Sequence, residues 1–264
     1  MKTKVLLIIL VFFSTFSFAQ RKLADKFFKN FAYIKATELY NEAVRKGNDS
    51  EHVLTRLGDC YYFNSRSAKA AEWYGKAVNM YPKIDPEYIY KYILTLRSIG
   101  DYETADIWIQ KFNDIQEDSK KARDFVLIDS EVFEELASTD GIYIATKNLS
   151  INSEHSEFGG FEHNGKFYFS SARNTLNNTL RDVYKWNEEP FLNIYQSDVT
   201  VTNGEKEFSK PNSISSDINT KYHEASIAIT NDGKTLYYTR NNLTKRKSLG
   251  ADREGTTHLK IYKA

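Results

Sequence analysis

The chain has 264 residues, room for about two domains at a rough ~150 residues each. Its formal net charge of +1 gives no basic surplus of the kind that nucleic-acid binding calls for. A single cysteine, Cys60, excludes an internal disulfide and a cysteine-based zinc site, while abundant Tyr and Phe suit a half built of aromatic strands.

Residues 1–19 begin with Lys2 and Lys4 and continue as an apolar run from Val5 to Phe13. Ser17 and Ala19 then place small residues at −3 and −1 of a cleavage site before Gln20. This pattern predicts a secretory signal peptide. A membrane anchor is the competing reading, but the run is short of the ~20 residues that a spanning helix needs. No cysteine sits at the site to take a lipid. The exported chain would lose both lysines and carry a charge near −1.

Residues 20–116 are predicted to be helical repeats. Leu54, Leu57, Gly58, Tyr61, Ala70, Tyr74, Ala77 and Pro82 form a tetratricopeptide signature. Small residues stand where paired helices press together, and Pro82 cannot donate the next helical bond. Ala24, Phe27, Ala36, Tyr40 and Ala43 fill the same slots 34 residues earlier. A third copy, shifted by one residue, runs through Tyr92, Leu96, Gly100, Ala105, Ile109 and Phe112. In such a stack the first helix of each pair lines a concave groove. By motif position its lining is Asp25, Phe28, Thr55, Asp59, Tyr62, Tyr90 and Arg97. Two occupants are open: an external peptide or partner helix, or the chain's own second half. Cys60 falls inside a helix and reads as a buried, inert thiol rather than a redox group.

Residues 117–140 read as a capping helix and linker, with Phe125, Ile128, Val132 and Leu136 at helical spacing. A cap shields the last repeat of a solenoid. Ser138 to Gly141 is a turn, and Ile142 to Ile144 opens a β region that extends over 141–264.

Within that region, Ile227 and Ile229 alternate with small or polar residues, Asn231, Asp232 and Gly233 form a turn, and Thr235 to Thr239 returns as a strand. An earlier unit has a strand at Phe158 to Phe161, a turn at Asn164 to Lys166 and a return at Phe167 to Phe169. His155 precedes His223 by 68 residues, Gly165 precedes Gly233 by 68, and Asn193 to Tyr195 precedes Lys260 to Tyr262 by 67. This recurrence predicts two copies of one β-propeller blade, with His155 and His223 at matched, structural positions. Asn174 to Glu189 and Asn241 to Thr256 read as long surface loops. The cations Lys245, Arg246 and Lys247 in the second loop read as a solvated charge run in preference to an anion site.

The strand, Asp-Gly-Lys turn and aromatic strand at Ile227 to Tyr238 resemble the TolB-like, WD-type propeller repeat. A longer set of residues is more specific: Asn148, Leu149, Ile151 to Ser153, Phe158 and Gly159, Ser170 to Arg173, Thr239 to Asn242, and Leu259 to Ala264. Together these resemble the OmpA-family envelope proteins of the Bacteroidetes, over nearly the whole chain after the leader. The resemblance implies helical repeats, then a propeller, then a peptidoglycan-binding OmpA-like domain. It also implies outer-membrane association, and in some members service to secretion or gliding machinery. The OmpA-like domain has no counterpart in these 264 residues. With two blades where closure takes four to eight, the sequence reads as a fragment of a longer protein.

Catalytic signatures fail one by one. Gly233, Lys234 and Thr235 mimic the end of a phosphate-binding loop, but the upstream glycine it needs is replaced by Ala228. His223 and Glu224 lack the second histidine of a zinc-protease helix, and there is no Gly-x-Ser-x-Gly elbow. Thr230 to Thr235 resembles a sialidase Asp-box, a turn without catalytic duty. The leading expectation is therefore a non-enzymatic periplasmic scaffold of fold class α plus β, without cofactor or metal. It would bind envelope proteins through the groove, and peptidoglycan only through the absent domain. The alternative is a periplasmic peptidase or glycan hydrolase whose propeller gates a catalytic domain outside this sequence.

Overall fold

The computed structural model describes residues 20–115, 147–173, 183–246 and 248–264. They fall into a helical unit, which takes in Lys185–Asn187, and a β unit formed by the remaining described residues from 147 onward. The expected leader, the capping helix and linker, and the strand at Ile142 to Ile144 lie outside the described residues.

The helical unit holds six helices: α1 (residues 20–29), α2 (Tyr33–Arg45), α3 (Glu51–Phe63), α4 (Ser67–Met80), α5 (Pro86–Ser98) and α6 (Tyr102–Ile115). They form three antiparallel pairs in the tetratricopeptide arrangement, one per sequence repeat. Packing explains the repeated residues. A Cβ at Gly58 would lie 2.3 Å from the Tyr74 ring, so α3 and α4 approach this closely only with glycine there. Ala24, Ala36, Ala70 and Ala105 are all fully buried, as are Tyr40, Tyr74 and Ile109 at one shared slot.

Each first helix ends in the same way. The N–H groups of Ala32, Arg66 and Asp101 donate to the carbonyls of Phe27, Tyr61 and Leu96, five residues back. This is the Schellman stop, and it requires a left-handed residue just before the donor. Those residues are Phe31 (φ 58), Ser65 (φ 55) and Gly100 (φ 80). Asp85 caps α5 by accepting from Glu87 N–H at 2.9 Å, with Pro86 pre-set in the first turn.

The β unit holds two antiparallel sheets. The first comprises β1 (Glu157–His163), β2 (Lys166–Ser171), β3 (Asn193–Thr202) and β4 (Glu205–Phe208) in that spatial order, with β5 (Asn212–Ser213) also on β3. The second comprises β6 (Glu224–Ile229), β7 (Leu236–Asn241) and β8 (Leu259–Lys263). Asn164 and Gly165 both have positive φ and join β1 to β2 in the two-residue turn that matches strand twist. Asn203 and Gly204 do the same between β3 and β4, a hairpin the sequence reading missed. Phe169, Tyr195 and Ile151 form one small core. Ile194, from the opposite face of β3, packs with Leu236 and Tyr238 of β7 to form another.

The two sheets repeat one design, but its register corrects the sequence reading. Glu157 accepts from Ser153 N–H at 3.0 Å and Ser153 Oγ at 2.8 Å. Glu224, 67 residues on, accepts from Thr220 N–H at 2.9 Å and Thr220 Oγ1 at 2.6 Å. The backbone bond from Ala172 to Ser156 is matched by one from Asn241 to His223. His223 therefore takes the place of Ser156, and His155 takes that of Tyr222, so the two histidines are not equivalent. The turns differ as well. In the second hairpin, Thr230 N–H bonds to Thr235 O across a longer loop in which Asp232 Oδ1 accepts from Thr230 Oγ1. The return strands consequently align at a spacing of 69, Tyr168 with Tyr237, before β3 and β8 realign at 67.

Candidate partner-binding groove

The first helices α1, α3 and α5 are joined by a chain of polar contacts. The Asp59 carboxylate on α3 is 1 % exposed and accepts three bonds: Tyr74 Oη at 2.9 Å, Lys91 Nζ from α5 at 2.7 Å, and Arg56 Nη1 at 3.1 Å. The Arg56 guanidinium lies 4.4 Å from the centre of the Phe28 ring on α1, and Lys91 Nζ lies 5.2 Å from that of Tyr88. One buried negative charge thus faces two half-buried cations, each resting on an aromatic face.

Asp25 repeats the theme on α1. It accepts from Tyr40 Oη at 2.5 Å and pairs with His52 Nε2 at 2.6 Å. Burial alone would raise the Asp25 carboxyl, but these hydrogen bonds outweigh it and hold the group below its ordinary range. Burial also pushes the Tyr40 and Tyr74 hydroxyls far up, so both stay protonated donors.

Of the seven residues expected to line the groove, Phe28 and Asp59 are brought together through Arg56, and Tyr62 lies beside Phe63 and Tyr74. Tyr90 is half-buried against Phe112 of α6, and Arg97 is half-buried in the last turn of α5. Thr55 is buried, and its hydroxyl bonds back to the Glu51 and His52 carbonyls, so it has nothing to offer an occupant. The sequence reading missed Arg56, Lys91 and His52. Arg56 had a signal, since a cation three residues before Asp59 lies on the same helix face.

Cys60 is 1 % exposed, and burial pushes its thiol up to about 12. In the β unit, His223 Nδ1 accepts from Leu192 N–H at 3.1 Å, with its ring against Tyr184 and Phe191. Burial lowers His223 to about 4 and raises the neighbouring Glu224 to about 7. Lys245 and Arg246 are exposed, and Lys247 lies outside the described residues. Among the described residues no group of three potential metal ligands occurs, and no helix is long and apolar enough to cross a membrane.

Comparison with family models gave no match, and neither did comparison with curated proteins. Among solved structures, the chain is similar to the first tetratricopeptide domain of Spaghetti (RPAP3) bound to the HSP90 peptide SRMEEVD. Identity is 16% and the TM-score 0.38, covering 46% of this chain and 94% of that one. It is also similar to the Sgt2 tetratricopeptide domain of Aspergillus fumigatus, at 18% identity and a TM-score of 0.37, covering 52% and 91% respectively.

Proposed function

We propose that this protein is a non-enzymatic scaffold of the cell envelope, exported to the periplasm, that holds a protein partner in the groove of its helical unit. The observation that carries the reading is the Phe28, Arg56, Asp59 and Lys91 chain, which spans three successive first helices. It provides aromatic faces and half-buried cations where a peptide would lie, beside Tyr62 and Tyr90. The residues at 1–19 supply the export signal in this reading, and the resemblance to Bacteroidetes OmpA-family proteins supplies the outer-membrane setting. Attachment to peptidoglycan, and service in secretion or gliding, belong to the same resemblance.

We read the β unit as the first two blades of a β-propeller. Supporting this is a contrast between register-equivalent residues on β3 and β8. Ile194 is fully buried beneath Leu236 and Tyr238 of the second sheet, whereas Ile261 is 76% exposed. A further sheet stacked in the same sense would cover Ile261.

The groove is tested by replacing Tyr62 and Tyr90 together with Ala and capturing partners from an envelope extract. Circular dichroism first establishes that the variant keeps its helicity. The expected result is loss of a partner that the unaltered protein retains. Equal recovery by both proteins would remove the groove from the proposal.

A further inference from the structure

The helical unit includes Lys185–Asn187, and Trp186 packs against its core. The indole stacks on Phe31 with an interplanar angle of 8° and a centroid distance of 6.1 Å. It meets the Tyr33 ring edge-on at 4.8 Å and Phe63 at 6.2 Å. Its Nε1–H donates at 3.0 Å to the carbonyl of Phe63, at the end of α3. Trp186 is half-buried, and this site supplies its indole with both an apolar seat and an acceptor for the N–H.

A second observation concerns Phe31 itself. The Schellman stops of the three first helices place Phe31, Ser65 and Gly100 at positive φ. Glycine adopts that conformation freely and serine tolerably, but a bulky aromatic residue is rare there. Backbone strain of this kind points to a demand on the side chain. The contacts visible here are the stack on Trp186 and an edge-on approach to Tyr33 at 6.3 Å, and the ring is 60% exposed with both made.

We propose that Phe31, Tyr33 and the carboxyl end of α3 form a receptor for a single tryptophan side chain, and that Trp186 is its resident occupant. The receptor adjoins the helical groove, because Phe63 also meets Phe28 at 6.4 Å and Tyr62 at 5.8 Å, but it does not depend on the scaffold reading. A tryptophan-bearing segment of a partner would enter it only by displacing Trp186.

The test is fluorine NMR on the full chain labelled with 5-fluorotryptophan, which gives three resonances, one of them assigned by W186F. The Trp186 resonance is expected to lie away from that of the free amino acid. Phe31→Gly keeps the left-handed turn while deleting the ring. It should move the Trp186 resonance toward the free value and leave those of Trp73 and Trp108 in place. A Trp186 resonance already at the free value, or unmoved in Phe31→Gly, overturns the proposal. As a second readout, the fluorinated N-acetyltryptophanamide is added to W186A and to the W186A, F31G double variant. Line broadening by the first protein alone is expected. Identical lines with both proteins overturn the receptor.

Discussion

The Tyr74 hydroxyl donates to the buried carboxylate of Asp59 at 2.9 Å, and Tyr40 makes the same bond to Asp25 one repeat earlier. In the third repeat the two positions are Leu94, half-buried, and Ile109, fully buried. Two repeats join their helices with a charged hydrogen bond, and the third joins them with hydrocarbon. Tyr74→Phe should therefore destabilise the helical unit by about 1.5–3 kcal/mol, the range for a hydrogen bond to a charged group. Asp59→Ala should cost more, about 3–5 kcal/mol, because Lys91 and Arg56 lose their shared counter-charge. Urea unfolding followed by circular dichroism measures both.

Gly58→Ala sets two effects against each other. Alanine gains about 1 kcal/mol of helix propensity over glycine. The added methyl, however, would meet the Tyr74 ring at 2.3 Å, and Tyr74 has no room to retreat. Overpacking of this kind costs about 1–3 kcal/mol, so the variant should melt lower. Tyr74→Leu in the same chain should recover part of the loss that Gly58→Ala causes, as a thermal-melt comparison of the four proteins would reveal.

Adjacent His223 and Glu224 should give the β unit opposing pH responses. Glu224 is raised from 4.5 to about 7, so its stabilising protonated form is fully present below pH 4.5 and lost as pH rises to about 7. His223 is lowered from 6.5 to about 4, so its neutral form stabilises fully above pH 6.5 and is lost as pH falls to about 4. Between pH 4.5 and 6.5 the two slopes oppose each other. Glu224→Gln should leave stability rising with pH across that window, and His223→Gln should leave it falling, each by about 2–3 kcal/mol. Urea midpoints at half-unit pH intervals provide the check.

The register-equivalent isoleucines should respond very differently to truncation. Ile194→Ala should destabilise the β unit by about 2–5 kcal/mol, since it empties a buried site. Ile261→Ala should change stability by less than about 0.5 kcal/mol in this chain. Paired denaturation curves would decide, and a comparable loss at Ile261 would mean that its side chain is already covered.

The helical half was legible because packing fixes the size of a residue at each repeated slot. Gly58, the buried alanines and the shared Tyr40 and Tyr74 slot all report helix contact directly in the sequence. The polar side of the groove was less legible. Asp59 was assigned to an open surface, although the recurring spacing from Asp25 to Tyr40 and from Asp59 to Tyr74 already hinted at an internal bond. In the β half, matching letters at one spacing paired His155 with His223 and failed by a single residue. The second hairpin loop is longer, so no constant offset can align both strands around it. Trp186 gave no signal at all, because its seat on Phe31 and Phe63 has no periodicity and more than a hundred residues intervene in the sequence.

Cys60 gives the molecule a built-in reporter. It is the only thiol in the chain, and it lies sealed in α3 with its proton held tightly. An alkylating reagent can reach it only when the second repeat opens, so under native conditions the rate of alkylation measures that opening, whatever the strands are doing. Any partner that grips the helices should slow the reaction, and the amount of slowing would give the strength of the grip without a tag or a dye.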